Sequence, residues 1–522
     1  ARSGSPTTCC PVATCWRWPA RTARPPPRPL RGGSSTAPGA PPAPRHRPRP
    51  RPDPAEAGEH QAAGRVVARG FAPAPEFLDL EAEVERHRPR GEPVRELDPQ
   101  IARIPEIVGQ RGDHALELHP EPVLGALRDV PEDRIVGSQS AEAFEEGIDE
   151  LLRALSTSHT GFFHESRPRA TGRIAMAATL MKAGTPDGER WVFQDVHPGG
   201  VAAAAGIAPG DVLLGIDGNE VVPPTAIPFQ LGHSYGLTVR KADGTTAQAT
   251  LAIPGSKEKQ RPIVVPDQVV TARKLDTDVG YVRVSMFPGV LGIDVARDMT
   301  RAIADLACPR LVIDLRGNTG GGIGCLRLMS HLCPDRRGVG YSVTRDVAKK
   351  GYAKERLPQF DGIPSSKWGI LPLALKFGFA GRSVAVFTEA LGPKAHHGHV
   401  AMLVNEHSAS AAEMVAAFAS EYKLATLVGT KTAGRLVATG AFKVGFGYRV
   451  ALPVAKYYTW HGTDMEGRGV EPDLAVNADV DLLQRGDDGQ LVQAVQSLLR
   501  TWGQDPINRR TTHGPAGPAS VV

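Results

Sequence analysis

The chain has 522 residues, 41% of them hydrophobic, enough for buried cores and for two to four domains at roughly 150 residues each. No stretch reaches about 18 uninterrupted apolar residues, which argues against a membrane-spanning helix, and the absence of a Gly-X-Y period excludes collagen. The net charge of +5 is unevenly spread: residues 1–70 hold twelve arginines, no lysine and three acids (Asp53, Glu56, Glu59), so the remainder is slightly acidic and implies no nucleic-acid-binding surface.

Residues 1–70 also hold 15 of the 46 prolines. Runs such as RPPPRPLRGG lack hydrophobic periodicity and cannot offset ordering entropy, so a disordered Arg/Pro-rich arm is expected. No charged stretch followed by an apolar one and a cleavage site is legible, so no signal peptide is expected and the compartment stays open between cell envelope and cytoplasm. Cys9, Cys10 and Cys15 lie in this arm; Cys308, Cys325 and Cys333 lie in the body, without the spacing of a disulfide framework or a zinc site.

Residues 71–168 read as a mainly helical N-terminal subdomain. In Ala141–Leu155, Phe144, Ile148, Leu151, Leu152 and Leu155 recur at helical spacing with acids opposite. From 169 to 255 short β-prone runs (RWVFQDV, DVLLGIDG, GLTVRKA, AQATLAI) alternate with Gly and Pro turns. The segment VHPGGVAAAAGIAPGDVLLGIDGNEV resembles a PDZ domain of the bacterial protease type. Such a domain adds an extended peptide as a strand, and Gly172, Arg173, Ile174 and Ala175 stand where its carboxylate-binding loop is expected. A ligand-free β-rich spacer is the plainer alternative.

Residues 256–500 show a β/α alternation. Strands are expected at Val279–Met286, Leu311–Leu315, Ser383–Phe387, Val400–Val404 and Leu424–Val428, and helices at Ile293–Leu306 and Ala411–Tyr422. Strands separated by helices imply a mostly parallel sheet in an α/β fold. Residues 501–522 read as a disordered tail.

Three segments carry chemistry. In NEHSASAAEM (405–414) Ser410 begins a helix, where unpaired N–H groups and the helix dipole favour the negative charge of an acyl-transfer intermediate. Ser410 with Glu413 is equally a capping box, and the segment alone leaves nucleophile and cap open. VIDLRGNTGGGIG (312–324) ends a buried strand in glycines that let backbone N–H groups approach an anion, without the pattern of a nucleotide P-loop. Thr157-Ser158-His159 and Glu466 supply a histidine that could take the serine proton and a carboxylate that could orient it. His396-His397-Gly398-His399 reads as a solvated loop, and no H-E-x-x-H motif supports a zinc protease.

The PDZ-like segment, DLRGNTGGG, NEHSASAAE, GTKTAGR and EGRGVEPDL, in that order over roughly residues 140–500, resemble peptidase family S41, which comprises the C-terminal processing (tail-specific) proteases and the tricorn protease core. The resemblance implies a crotonase-like ββα protease core carrying an inserted PDZ domain, and an acyl-enzyme serine mechanism. In the processing proteases a lysine serves as base; its position here holds Arg435, and arginine stays protonated. The tricorn-like branch uses a histidine in Thr-Ser-His and a glutamate before Gly-x-Gly-Val-x-Pro-Asp. That assigns Ser410 as nucleophile, His159 as base, Glu466 as orienter and Ser158 as an auxiliary hydroxyl. The oxyanion donors would be the backbone N–H groups of Ala411 and of Gly320 or Gly321. The expected function is a serine endopeptidase acting on extended or unfolded polypeptides, with no cofactor or metal, protein or peptide partners, no nucleic acid or stable membrane insertion, and oligomerisation left open. The rival is a non-catalytic protein that uses the same fold for peptide or ligand binding.

Overall fold

Four apolar strands that are buried on both faces organise the centre of the molecule. A computed structural model describes residues 135, 137–165, 176–225, 229, 231–255, 268–276, 278–289, 291–364 and 383–504. The central sheet runs, in order, Leu474–Ala475, Thr426–Gly429, His399–Val404, Arg310–Asp314, Val279–Val284 and Val270–Lys274. All neighbours are parallel except the last pair. Alternate residues face opposite layers. Val282, Val284, Ile313, Met402 and Val404 pack on the helices Ile293–Leu306, Cys325–Leu332 and Ala411–Glu421. Tyr281, Val312, Ala401 and Leu403 pack with Ala494 and Leu498 of the helix Gly489–Gln504. Coverage of both faces is why LVID and AMLV read as continuous apolar runs rather than alternating ones.

The helix Ile293–Leu306 has the expected bounds and buries Val295, Met299, Ile303 and Leu306. The strand Val384–Phe387 does not join the parallel sheet. It pairs antiparallel with Gly338–Val343, in a second sheet that also contains Gly161–His164, Val437–Gly445, Tyr448–Thr459 and Gln359–Phe360. On this sheet sits the helix Ala141–Ala154. Its apolar stripe meets Phe162, Val450 and Leu452, and Phe162 stacks on Tyr448 at 4.8 Å between ring centroids.

A third sheet is wholly antiparallel: Ala178–Thr185, Gly188–Val196, Val212–Ile216, Ser234–Arg240 and Thr246–Ala252, with Asn219–Glu220 at its margin. Phe193, Leu213, Leu237, Val239 and Leu251 form its core with Ala202 and Ile207, which lie in and just beyond the short helix Val201–Ala204. No helix among the described residues is long and apolar enough to cross a membrane.

Candidate active site

The strand His399–Val404 ends in a turn that is stapled to the neighbouring DLRGN turn. Asn405 Oδ1 accepts from Gly317 N–H at 3.0 Å, Ser408 Oγ donates to the Leu315 carbonyl at 2.8 Å, and Ala409 N–H donates to the Asn318 carbonyl at 2.9 Å. The DLRGN turn is itself pinned by Asp314, which accepts from Arg316 N–H and guanidinium and from Tyr281 OH. Burial opposes the charge on Asp314, but Arg316 and Arg283 outweigh it and hold the carboxyl well below its usual range.

Ser410 follows, at φ 56° and ψ −119°, a backbone conformation that L-residues avoid. Such strain costs of order 1–3 kcal/mol and persists only where neighbours over-determine it. Here the Ser410 N–H donates both to the Arg435 carbonyl and to Glu413 Oε2, each at 3.0 Å. Glu413 is fully buried. Its carboxylate also accepts from Gly434 N–H at 2.7 Å, Arg435 N–H at 2.8 Å and Thr432 Oγ at 2.6 Å. The capping-box reading of Glu413 therefore captures one of its four contacts.

The glycine-rich loop packs directly on this serine. A Cβ at Gly320 would lie 2.6 Å from Ser410 Cβ, and one at Gly321 would lie 2.0 Å from the Phe287 carbonyl oxygen. Both residues have positive φ, 91° and 130°, so only glycine fits. Gly320 N–H is already committed, donating to Asn318 Oδ1 at 2.8 Å. Among the described residues, Gly321 N–H and Ala411 N–H have no acceptor. Gly320 thus shapes the loop, and the available donors are those of Gly321 and Ala411.

Thr157, Ser158 and His159 follow the helix Ala141–Ala154 and lead into the strand Gly161–His164. Ser158 N–H donates to Glu466 Oε1 at 2.7 Å and Ser158 Oγ donates to Glu466 Oε2 at 2.9 Å. The same hydroxyl lies 2.8 Å from His159 Nδ1. A hydroxyl has one proton, and an ionised carboxylate only accepts. With that proton on the Glu466 bond, Ser158 Oγ must accept from His159 Nδ1–H, which leaves the lone pair on Nε2. The hydroxyl is thus the link between imidazole and carboxylate. Burial lowers the pKa of His159; Glu466 opposes that shift and Arg435 reinforces it.

Residues 434–436 connect the two halves of the site. Arg435 holds Ser410 through its carbonyl, and Leu436 N–H donates to Glu466 Oε2 at 2.9 Å. The two carboxylates, Glu413 and Glu466, thus grip consecutive peptide groups of one loop. Among the described residues no hydrogen bond joins Ser410 Oγ to His159. Lys431 is exposed and pairs with Glu471 at 2.7 Å. Trp460 packs on Phe387, and His461 lies 3.4 Å from Glu421, so neither enters the Ser158–His159–Glu466 group. Gly172, Arg173, Ile174 and Ala175 lie outside the described residues.

Residues 278–476 match the model described as Peptidase family S41. A carboxyl-terminal-processing protease of Picosynechococcus sp. is 26% identical over 287 residues, covering 53% of this chain and 59% of that protein. Tricorn protease homolog 2 of Streptomyces coelicolor is 24% identical over 356 residues, covering 64% of this chain and 26% of that protein. The chain therefore spans about three fifths of the first relative's length and a quarter of the second's. Mature CPAF complexed with lactacystin superposes with a TM-score of 0.51 at 14% identity, over 77% of this chain and 98% of that one, a likeness of fold. Together with the family match, these findings show that the chain carries a peptidase family S41 domain at residues 278–476.

Proposed function

We propose that the protein is a serine endopeptidase in which Ser410 is the nucleophile, His159 the general base and acid, and Glu466 the orienting carboxylate acting through Ser158. The observation that carries this reading is the chain of hydrogen bonds from His159 Nδ1 through the Ser158 hydroxyl to Glu466, tied by residues 435 and 436 to a strained serine that has two unengaged N–H groups next to it. In the first step Ser410 Oγ attacks the peptide carbonyl carbon and its proton passes to His159 Nε2. The imidazolium is stabilised by the Glu466 charge one hydroxyl away. The tetrahedral oxyanion accepts hydrogen bonds from Gly321 N–H and Ala411 N–H, donors that are fixed before reaction and so cost little reorganisation. The C–N bond then breaks, His159 returns the proton to the departing amine, and an ester remains on Ser410. Water, deprotonated by His159, hydrolyses that ester and restores the serine.

Arg435 stands where a lysine base would stand in the processing proteases and cannot serve as one, which favours the histidine design. The substrates we propose are extended or unfolded polypeptide segments, recruited by the third sheet acting as a PDZ domain. Turnover of a denatured, fluorophore-labelled protein tests the reading. The expected outcome is cleavage by the native chain and a loss of several orders of magnitude in Ser410→Ala with an unchanged circular dichroism spectrum. Retained cleavage with only about 1 kcal/mol less stability would make Ser410 a helix cap and no more.

A further inference from the structure

The loop that joins the two halves of the site sends one side chain into solvent. Gly434 and Leu436 are buried, and Arg435 between them is exposed. The backbone beneath that side chain is held at each peptide group. The Arg435 carbonyl accepts from Ser410 N–H at 3.0 Å, and its N–H donates to Glu413 Oε2 at 2.8 Å. The Gly434 carbonyl accepts from Gly467 N–H at 2.8 Å, and Leu436 N–H donates to Glu466 Oε2 at 2.9 Å. The guanidinium therefore springs from a fixed base between the nucleophile and the turn that carries Glu466.

Among the described residues this guanidinium has no hydrogen-bond or ion-pair partner. Other cations around the site are matched. Arg283 binds Asp195, Arg316 binds Asp314 and Asp488, and Lys431, earlier in the same loop, pairs with Glu471. The two carboxylates that grip the Arg435 backbone are already full. Glu413 accepts from Ser410 N–H, Thr432 Oγ, Gly434 N–H and Arg435 N–H. Glu466 accepts from Ser158 N–H and Thr157 Oγ at Oε1 and from Ser158 Oγ and Leu436 N–H at Oε2. A carboxylate offers about four lone-pair sites, so neither has room for the guanidinium. The charge of Arg435 is nonetheless felt at the reacting groups, since it lowers the pKa of His159.

We propose that Arg435 is a specificity-determining residue that binds a carboxylate of the substrate close to the cleaved bond, supplied by an Asp or Glu side chain or by the terminal carboxylate of the polypeptide. The proposal rests on the peptidase reading above and adds a substrate class to it. The planar guanidinium fork matches a carboxylate through two parallel hydrogen bonds, and it stays charged at every working pH. An extended substrate advances about 3.4 Å per residue, and Arg435 is bonded directly to the peptide group of Ser410, so the carboxylate belongs within about three residues of the cleaved bond.

The test uses the full chain and peptides blocked at both ends that differ only by Glu in place of Gln at successive positions around the cleaved bond. A second pair ends near that bond in a free carboxylate or an amide. Labelling of the native chain by a fluorophosphonate is read first: its absence overturns the peptidase reading and this proposal with it, whereas labelling without any carboxylate preference overturns this proposal alone. At about pH 7.5, where glutamate is ionised, one Glu position or the free end is expected to raise kcat/KM about fivefold over its neutral counterpart, the upper end for an ion pair open to water. The arm that shows the preference identifies the source of the carboxylate. The ratio is expected to fall toward unity in Arg435→Gln and to persist in Lys431→Gln, whose charge Glu471 already matches. Being a ratio, it is not imitated by a general loss of activity. In the native chain it is also expected to shrink as salt rises from about 0.05 to 0.5 M. A ratio that survives in Arg435→Gln, that falls as far in Lys431→Gln, or that ignores salt overturns the proposal.

Discussion

His159 is held between opposing influences, and its titration follows from them. Burial and Arg435 lower its pKa while Glu466 raises it, with a net shift below the usual value. The neutral, proton-accepting form therefore persists to lower pH than a free imidazole would allow, and the acid limb of kcat/KM should fall below about pH 6.5. Removing Arg435 removes a lowering influence, so Arg435→Ala should move that limb to higher pH while retaining turnover. A limb that stays in place would separate Arg435 from the base. Glu413 offers a second residue-scale prediction. Each of its oxygens accepts two donors, so in Glu413→Gln whichever end carries the amide NH2 meets two N–H or O–H groups. At least a hundredfold loss in serine labelling rate is expected, of the order seen when an oxyanion donor is removed. A near-native labelling rate in that variant would reduce Glu413 to an ordinary cap.

At the scale of elements, the sequence was most legible where burial is two-sided or periodicity is long. For LVID, HVAMLV and the helix Ile293–Leu306 the expected and observed bounds agree within a residue or two, because their apolar patterns match one period without interruption. The long hairpin Val437–Gly445 and Tyr448–Thr459 is not legible in the sequence. Its first strand alternates half-buried with exposed residues, and Gly440, Gly445, Gly447 and Pro453 break the pattern that a strand search relies on. The apolar run Ser383–Phe387 predicts a strand but not its sheet: Val384–Phe387 pairs antiparallel with Gly338–Val343 instead of joining the parallel sheet, because apolarity does not reveal the partner. The same contrast holds within the site. Ser410, His159, Ser158 and Glu466 were visible as motif positions, whereas the commitment of Gly320 N–H to Asn318 and the fourfold role of Glu413 depend on contacts distant in sequence. The loop's tightness is testable. Gly320→Ala places a Cβ 2.7 Å from the Ala409 carbonyl oxygen and 2.8 Å from Ala411 N, at a positive φ. Strain of about 1–3 kcal/mol is expected in the melting free energy, together with lost labelling. Unchanged stability and labelling would show that the loop has room to move.

Across the whole molecule, the third sheet is joined to the site by polar contacts rather than by a shared apolar core. Arg283 on the central sheet binds Asp195 of the third sheet, with one Nη1–Oδ1 contact at 3.0 Å. Asn405 reaches Gln194 at 3.3 Å, and His407 Nε2–H donates to the Leu180 carbonyl at 2.9 Å. Asn405 and His407 belong to the turn that ends in Ser410, so the sheet's seating and the serine's setting are mechanically linked. Burial raises the pKa of Asp195, but Arg283 outweighs it and the carboxyl titrates below its usual value. A depressed carboxyl contributes stability that is present above its unfolded pKa and lost as pH falls through the folded one. In Arg283→Ala, the half-buried Asp195 loses its hydrogen-bonded cation and keeps only His197 at 3.7 Å, and a loss of about 1.5–3 kcal/mol is expected, measured by denaturant unfolding at neutral pH. A loss under about 1 kcal/mol would mean that the junction is open to water and carries little coupling.

The claim on which the rest depends is that Ser410 is activated by His159, oriented through Ser158 by Glu466. Fluorophosphonate labelling of the folded chain, with the adduct mapped by peptide mass spectrometry, addresses it without any knowledge of the natural substrate. A single adduct on Ser410 is expected. Its formation should slow by orders of magnitude in His159→Ala and by a smaller factor in Glu466→Gln, with far-ultraviolet circular dichroism unchanged in both. An adduct on another residue, or full-rate labelling of Ser410 in folded His159→Ala, would contradict it.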